Sequence, residues 1–292
     1  MILLRFSSGL GNQMFQYCFF RLLQKKYGSE NVKADLTWFD WHEEHQGYEL
    51  EKVFGIRMDS AKRTEVLKVS GRLPQDFPCL YYVNRIIRLF TEKKRKPFIL
   101  DEMAADYELD RNADWYLTGF YISEEYYRDR LEEIRDYFRF PDEETMGVKD
   151  MASRIREGTS VSLHVRRGDY LSSVYEGKFI NLGTDFYKKA ADVILSDNPD
   201  ARFFIFSDDK DYVRENFGWL KDKVIVTGND GADSYKDMYL MSICDHNIIA
   251  NSTFSTWGAL LNANENKTVI YPEKYLSGQD SEKKSLKGWV RI

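Results

Sequence analysis

The sequence predicts an α/β protein built from two Rossmann-like domains, and three observations support this. Its 292 residues are about twice the length of an ordinary domain of roughly 150 residues. From residue 160 onward, short apolar runs alternate with helical patterns at the spacing of parallel strands and crossover helices. The same alternation begins at Ile2, and the polar stretch Pro141–Lys149 separates the two patterns. We therefore expect one domain at residues 1–150 and a second at residues 151–292, facing each other across a cleft.

The second domain has the clearer pattern. Its apolar runs predict the strands Val161–Val165, Arg202–Phe206, Lys223–Val226, Asn247–Ala250 and Thr268–Tyr271. The segments between them follow or begin with Ser, Thr or Asp, the side chains that cap helix N-termini. The predicted helices are Thr184–Ser196, Asp209–Phe217, Ser234–Ser242 and Ser255–Asn262. Because ligands bind beyond the carboxyl ends of the strands in an open parallel sheet, the residues after each strand are the first candidates for a site.

The first domain is less regular in its pattern. Its predicted elements, in chain order, are the strand Ile2–Phe6, the loop Ser7–Asn12, the helix Gln13–Tyr27, the strand Asn31–Asp35, the basic amphipathic helix Tyr81–Lys96, the strand Tyr116–Phe120 and the helix Glu124–Phe138. The glycine-containing loop between the first strand and the first helix is the counterpart of the candidate segments in the second domain.

Composition excludes several classes of protein. With 42 basic and 47 acidic residues, the net charge of −5 offers no general attraction for nucleic acid or an anionic membrane. No apolar stretch approaches the roughly 18 residues needed to span a bilayer. The three cysteines are far apart and there is no clustered Cys/His motif, which argues against disulfides and zinc. We expect a cytoplasmic protein. The sequence does not decide whether it also binds peripherally to the cytoplasmic face of the inner membrane.

The strongest local signal is a pair of arginines. Arg166 and Arg167 come directly after the first strand of the second domain, at the presumed binding edge. A guanidinium presents a planar fork that binds phosphate oxygens through two hydrogen bonds. His164 alternates with the apolar Leu163 and Val165, so it should point to the opposite face of the strand. The pattern favours a phosphate or pyrophosphate site, and the alternative is a solvated turn held by a surface ion pair.

Further polar side chains follow other strands of the same predicted sheet. Ser255 and Thr256 lie at the start of the last helix, where hydroxyls and backbone N–H groups accept an anion or simply cap the helix. Asp208 and Asp209 follow the second strand. Paired acids can hold Mg²⁺ on a nucleotide diphosphate, a carboxylate can accept the N1–H and N2 amino groups of guanine, and either acid can cap a helix. The residues alone leave these alternatives open.

The loop in the first domain is similar to a dinucleotide-binding turn. Gly9 and Gly11 match the first two glycines of that fingerprint, but Met14 occupies the position of the third. Asp35, at the end of the next strand, could act as the ribose-binding acid. A nicotinamide-dependent oxidoreductase is therefore an alternative function, and a non-catalytic nucleotide-sugar-binding module is another.

Four segments, in this order and spacing, resemble the bacterial α-1,2-fucosyltransferases of glycosyltransferase family eleven. They are Ser8–Tyr17, His164–Tyr170, Phe206–Asp209 and Asn251–Gly258. The resemblance implies a GT-B-like fold, GDP-fucose as donor and a galactose-terminated oligosaccharide as acceptor. It also implies transfer to the 2-hydroxyl of galactose with inversion at the fucose anomeric carbon, without a metal or a separate cofactor.

The resemblance further implies roles for single residues. Arg166 is similar to the family's arginine that contacts the β-phosphate, and Arg167 lies beside it. His164 and one of the two aspartates are implied to contact the guanosine. The implied donor-binding residues are Gly11, Asn12, Gln13, His164, Arg166, Arg167, Asp208, Asp209, Ser255 and Thr256. The first three belong to the loop expected to close over the pyrophosphate and fucose, and the last two to the phosphate end. Ser8 stands where many family members have glycine, which narrows the backbone choices of that turn.

An inverting transfer also needs a base for the proton of the acceptor hydroxyl. Asp169 and Glu176 are the nearest carboxylates after the arginines, and Asp35 could reach from the other domain. We favour Glu176, because Asp169 can instead pair with one of the arginines and orient it. The expected catalytic residues are thus Arg166, Glu176 and Asp169.

Overall fold

The computed structural model describes residues 1–42, 45–70, 98–99, 108–168, 180–276, 279–280 and 285–292. It divides into two compact units, Met1–Arg130 and Leu131–Ile292. Each unit is built on a parallel sheet, as the alternation of strands and helices predicts. The predicted helix Tyr81–Lys96 lies outside the described residues. No helix in the described part of the chain combines the length and the apolar character needed to cross a membrane.

The first unit contains a four-stranded parallel sheet in the order β2-β1-β4-β3. Its strands are β1 (Ile2–Arg5), β2 (Val32–Asp35), β3 (Phe98–Ile99) and β4 (Trp115–Leu117), and its helices are α1 (Leu10–Tyr27), α2 (Leu50–Phe54) and α3 (Arg63–Ser70). Leu3 and Leu4 of the central strand β1 are both fully buried, although they point to opposite faces. Because β1, β2 and β4 are parallel, the chain leaves the sheet at the same edge after each of them.

Helix α1 begins at Leu10, three residues before the predicted start at Gln13. Gly9 is the N-cap in an extended conformation, and it gives no side-chain hydrogen bond to the helix. The buried carboxylate of Glu49 accepts the N–H of Leu10 at 3.1 Å instead. Because this cap comes from 39 residues further along the chain, local sequence rules cannot anticipate it.

The second unit contains a six-stranded parallel sheet in the order β12-β9-β8-β5-β6-β7. Its strands are β5 (Ser160–Val165), β6 (Arg202–Ser207), β7 (Lys223–Ile225), β8 (His246–Ile248), β9 (Val269–Tyr271) and β12 (Val290–Arg291), beside the antiparallel pair β10 (Lys274–Leu276) and β11 (Gln279–Asp280). Its helices are α4 (Leu131–Tyr137), α5 (Glu143–Met146), α6 (Lys149–Ile155), α7 (Thr184–Asp197), α8 (Lys210–Asn216), α9 (Tyr235–Ser242) and α10 (Thr253–Leu261).

The strands and helices predicted for residues 160–271 are confirmed, with small shifts at their ends. Val161, Leu163 and Val165 pack with α7 in one apolar cluster. Phe204 and Phe206 of the neighbouring strand belong to a second cluster on the other face of the sheet. The central strands are thus buried on both faces, and this is why they read as continuous apolar runs in the sequence.

The predicted helix Glu124–Phe138 is wrong in its first half. The chain forms the short 3₁₀ turns Glu124–Tyr126 and Arg128–Arg130 before α4 begins. Tyr126 and Tyr127 are both fully buried, against Phe19 and Phe15 respectively. Successive residues of a regular α-helix point about 100° apart, so the amphipathic pattern is interrupted where two adjacent tyrosines enter the same core.

Along the chain, the first compact unit ends at Arg130 and the second begins at Leu131, about 20 residues before the boundary that we predicted from Pro141–Lys149. That polar stretch forms α5 and its caps. Asp142 accepts the N–H of Thr145, and Met146 and Val148 enter the core of the second unit. The polar residues here cap a short helix and cover its exposed side. By composition alone, such a helix cannot be distinguished from a linker.

Helices α9 and α10 pack closely at Gly258. A Cβ at this position would lie 2.8 Å from the Cβ of Met241. Glycine therefore allows α10 to approach α9 closely.

Candidate active site

The two predicted arginines lie at the carboxyl edge of the second sheet. Strand β5 pairs with β6 in register up to Val165 and Ser207, so Arg166 and Arg167 leave the sheet next to Asp208 and Asp209. The arginine side chains are 28% and 20% exposed. They are partly buried and ion-paired, and a phosphate contact stays a prediction for them.

Asp208 organises both arginines. Its Oδ2 lies 2.9 Å from Nη1 of Arg166, and its Oδ1 accepts the backbone N–H of Arg167 at 2.9 Å. Gly168 makes room for this carboxylate, because a Cβ at position 168 would lie 2.9 Å from Oδ2 of Asp208. The glycine of the motif is thus explained by the approach of a side chain, since Gly168 has no left-handed φ angle.

Asp209 has two further contacts. Its Oδ1 accepts the N–H of Tyr212 and caps α8, and its Oδ2 lies 3.2 Å from Nε of Arg167. The guanidinium of Arg167 lies over the ring of Tyr212, 3.6 Å from the ring centre. A cation over an aromatic face gains about 0.5–2 kcal/mol. Arg167 is therefore held from two sides, while both oxygens of Asp209 are engaged.

His164 lies on the face of β5 opposite to Leu163 and Val165, as the alternation predicts. It pairs across the strands with Phe206, and its ring is 5.9 Å from that of Phe254. Burial, with the positive charge of Arg166 as a smaller cause, lowers the pKa of His164 to about 3, so the imidazole is neutral at pH 7. Its buried Nδ1 has no hydrogen-bond partner among the described residues. A ligand or a bound water would satisfy such a buried polar atom.

Ser255 and Thr256 lie in the first turn of α10, and they are only 1% and 3% exposed. Both hydroxyls donate to the carbonyl oxygen of Ser252, at 3.4 and 2.9 Å. The cap of this helix is Ser252, whose Oγ accepts the N–H of Phe254. The structure thus uses these two hydroxyls within the helix turn, and contact with a phosphate stays a prediction for them.

Asp237, which the sequence analysis does not identify, is a carboxylate at the same edge. It lies in the first turn of α9, and its Oδ1 accepts a 2.7 Å hydrogen bond from Asn229, which follows β7. Burial raises the pKa of Asp237 to about 7, although Asn229 and the nearby Lys210 counteract it. The signal in the sequence is weak, because Asp237 sits inside an ordinary amphipathic helix and not directly after a strand.

In the first unit, the predicted loop residues are held in the start of α1. Gln13 is fully buried and donates to the carbonyl oxygens of Ser8 and Gly47, each at 2.8 Å, while it accepts the N–H of Glu49 at 2.9 Å. Its amide is thus committed to the backbone and acts as a clamp. Gly11 is buried and Asn12 donates to Ser8 Oγ at 2.9 Å.

Two further residues of this region have structural functions that the sequence analysis missed. Gln16 accepts the N–H of Ser7 at 3.0 Å and donates to the carbonyl oxygen of Gly119 at 2.8 Å. Glu49, which accepts the N–H of Leu10, is the second of these residues. Burial raises the pKa of its carboxyl group to about 7. The signal for the glutamines is their spacing, since residues three apart on a helix share a face.

Of the carboxylates considered as bases, the structure describes only Asp35. Asp35 is fully buried, and its oxygens accept hydrogen bonds from Thr37 and from the hydroxyl of Tyr116. It is not placed to act as a base or to bind a ribose. Asp169 and Glu176 lie outside the described residues. Within the described ranges there is no group of three or more His, Cys, Asp or Glu side chains that could hold a metal ion.

Comparison with known proteins agrees with the resemblance. The family model for glycosyl transferase family 11 matches residues 85–292. An α-1,2-colitosyltransferase of Escherichia coli is 30% identical over 100% of this chain and 98% of its own length. A galactoside α-(1,2)-fucosyltransferase 1 of Plecturocebus brunneus is 31% identical over 50% of this chain and 42% of its own length.

A solved structure shares the fold at low sequence identity. The NodZ α-1,6-fucosyltransferase of Bradyrhizobium, co-crystallised with GDP, superposes with a TM-score of 0.54 at 16% identity, over 89% of this chain and 92% of that one. The predicted GT-B-like α/β fold is confirmed. With the family match over residues 85–292, the conclusion is that this chain belongs to glycosyl transferase family 11 and is a glycosyltransferase.

Proposed function

We propose that the chain transfers L-fucose from GDP-fucose to the 2-hydroxyl of a terminal galactose, with inversion at the anomeric carbon. One observation carries most weight: Arg166 and Arg167 stand side by side at the sheet edge, each paired with an aspartate from the neighbouring strand. Family membership and the galactoside-acting relative support the donor and acceptor classes. Because a full-length relative is a colitosyltransferase, colitose is the second candidate for the transferred sugar.

The arginines fit the charge that this reaction develops. The bond between the fucose anomeric carbon and the β-phosphate oxygen breaks, and its electron pair leaves with GDP. Negative charge grows on the diphosphate while positive charge spreads over the sugar ring. Guanidiniums held in place before the reaction stabilise that charge without reorganisation. We propose that Arg166 and Arg167 act on the β-phosphate in this way, and that no divalent cation is needed.

The aspartates explain how two adjacent cations are kept ready without a donor. Two guanidiniums at the end of one strand repel each other, and the carboxylates of Asp208 and Asp209 offset that repulsion. Because the pairs are partly exposed, we expect each to contribute no more than about 1 kcal/mol to stability. In the proposal, these residues orient the guanidiniums. Asp208 orients that of Arg166, and Asp209 and Tyr212 orient that of Arg167.

We assign the guanine contact to Asp237. All four carboxylate oxygens of Asp208 and Asp209 already hold an arginine or a helix N–H. The Oδ2 of Asp237 makes no hydrogen bond within the described ranges, and its carboxylate is an acceptor suited to the N1–H and N2 amino donors of guanine. His164, with its buried Nδ1, is proposed as a second contact on the nucleoside.

The remaining parts of the proposal rest on the sequence. Asp169 or Glu176 takes the proton of the galactose 2-hydroxyl as that oxygen attacks the face opposite GDP. We place the reaction in the cytoplasm. The oxidoreductase alternative is not favoured, because Asp35, its ribose ligand, is bound internally, and Met14 is buried where the third glycine would be needed.

The direct test is turnover of GDP-fucose with lactose, assayed with and without EDTA. We expect transfer to the galactose 2-hydroxyl at similar rates in both conditions. Loss of activity in EDTA that Mg²⁺ or Mn²⁺ restores would contradict metal independence. Tight binding of NAD⁺ without any response to GDP or GDP-fucose in calorimetry would contradict the function itself.

Replacing Arg166 with lysine tests whether the two-pronged hydrogen bonding of its guanidinium is needed. We expect kcat/KM to fall at least tenfold, because lysine keeps the charge but loses the bidentate geometry. Arg202→Lys is the matched control, since Arg202 begins β6 at the opposite end of the same sheet and pairs with Asp222 at 3.0 Å. Activity of Arg166→Lys equal to that of the control would show that the guanidinium of Arg166 has no specific role.

Gly168→Ala tests the orientation of Arg166 by Asp208. The added methyl group displaces the Asp208 carboxylate, which is the end of a flexible side chain, so the fold should hold while the ion pair shifts. We expect kcat/KM to fall about tenfold, which corresponds to roughly 1.4 kcal/mol, with the urea midpoint unchanged. The control is Gly183→Ala, where a Cβ meets no atom within 4 Å. A fully active Gly168→Ala protein would mean that this pair does not orient the catalytic arginine.

Asp237→Asn tests base recognition through the ratio of GDP to IDP affinity, since hypoxanthine lacks the N2 amino group. We expect the wild-type protein to prefer GDP about tenfold at pH 8, because a hydrogen bond to a charged group is worth roughly 1.5–3 kcal/mol. The raised pKa of about 7 means that the carboxylate is ionised above this pH, so the preference should decrease between pH 8 and pH 6.

In Asp237→Asn the preference should be small at both pH values, and Asp233→Asn, at a nearby exposed ion pair, should behave like the wild type. The ratio cancels the titration of the phosphates, which both nucleotides share. An unchanged ratio in Asp237→Asn would place guanine recognition elsewhere.

A further inference from the structure

Backbone strain in the described residues is concentrated at one edge of the first sheet. The non-glycine residues with a left-handed φ angle are Ser8 (68°), His45 (62°) and Tyr121 (56°). They lie in the chain segments that follow β1, β2 and β4, which are adjacent and parallel in the sheet. Such conformations cost of order 1–2 kcal/mol each, and they persist where the surrounding structure holds them, typically at ligand sites.

Buried amides of α1 hold the three segments in place. Gln13 binds the carbonyl oxygens of Ser8 and Gly47, and Gln16 binds Ser7 and the carbonyl oxygen of Gly119. The loops after β1, β2 and β4 are thereby tied to one helix face. We call this surface the strained rim and define it as residues 7–9, 45–47 and 118–121.

The strained rim includes a partly exposed aromatic ring. Gly119 (φ 145°) and Tyr121 turn the backbone so that the Tyr121 ring is buried, stacked on Phe19 with 3.8 Å between ring centres. Phe120 between them is 36% exposed. Tyr121 thus lies in the core, whereas Phe120 is partly exposed at the rim.

The rim also presents polar groups without positive charge. The exposed His45 lies against Gly9, and its Nε2 is 3.4 Å from the Oγ of Ser8. None of the residues of the strained rim is a lysine or an arginine. An aromatic face with neutral hydrogen-bonding groups suits an uncharged sugar and does not suit a diphosphate.

We propose that the strained rim binds the terminal galactose of the acceptor, with Phe120 against the apolar face of the sugar and His45 hydrogen-bonded to one of its hydroxyls. This inference rests on the proposed function. The axial 4-hydroxyl of galactose leaves the C–H groups of C3, C4 and C5 together on one face, and such a face packs on an aromatic ring. A prearranged rim lowers the entropy that acceptor binding would otherwise cost.

The test measures the KM for lactose and, separately, the Kd for GDP. Phe120→Leu keeps the apolar volume without the ring, and Phe120→Ala removes both. We expect the KM for lactose to rise about fivefold or more in Phe120→Leu and further in Phe120→Ala, with the Kd for GDP unchanged. Phe120→Tyr should restore a KM close to that of the wild type. Leu67→Ala, which removes a similarly exposed apolar side chain on α3, is the control for nonspecific effects.

His45→Asn supplies an independent arm, because asparagine tolerates the left-handed conformation while it removes the imidazole. We expect the KM for lactose to rise at least threefold at an unchanged Kd for GDP. An unchanged KM in both Phe120→Leu and His45→Asn would overturn the proposal. A weaker Kd for GDP in either variant would also overturn it, because the rim would then act on the donor.

The failure of this inference can be distinguished from the failure of the proposed function. If the wild-type protein does not turn over GDP-fucose with lactose, the function is contradicted. If the wild-type protein is active but the rim variants keep its KM for lactose, only the assignment of the rim is contradicted.

Discussion

The requirement to keep two adjacent guanidiniums together at the end of a buried strand dominates the second unit. Arg166 and Arg167 follow β5 with no residue between them, and neighbouring like charges are unfavourable unless acids compensate them. Strand β6 supplies the acids because its register places Asp208 and Asp209 alongside. Gly168 then has to lack a side chain, and Tyr212 provides the face on which Arg167 lies. One electrostatic constraint thus accounts for residues from three segments.

The two units hold the residues at their sheet edges in different ways. The second unit uses charge: carboxylates at partly buried positions hold cations at the sheet edge. The first unit uses backbone geometry, with the buried amides of Gln13 and Gln16 holding loops in conformations that cost energy. Under our proposals, the fixed cations of the second unit bind the diphosphate and the neutral rim of the first unit binds a sugar.

Much of the second unit could be predicted from the sequence, because its signals are local. Buried parallel strands produce continuous apolar runs, and Ser or Asp before a helix marks its start. The position of the arginine pair could be predicted for the same reason, since a residue directly after such a strand lies at the carboxyl edge of the sheet. The resemblance to a family connected these segments to a reaction.

Features that depend on distant residues could not be predicted. Glu49 caps α1 from 39 residues away, so the helix start was placed too late. Asp237 is a site candidate only because folding buries it next to Asn229, and in the sequence it is one more acid on an amphipathic helix. Ser255 and Thr256 show the opposite case: their hydroxyls stand out in the sequence, but the helix turn uses both. The sequence could not show that these hydroxyls are hydrogen-bonded within the helix turn.

A crystal structure of this chain with GDP bound would test the central claim most directly. The account predicts that the β-phosphate lies within hydrogen-bond distance of the guanidinium of Arg166 while Asp208 still contacts that side chain. A diphosphate bound away from the carboxyl end of β5, with Arg166 and Arg167 in contact only with the two aspartates and water, would contradict it.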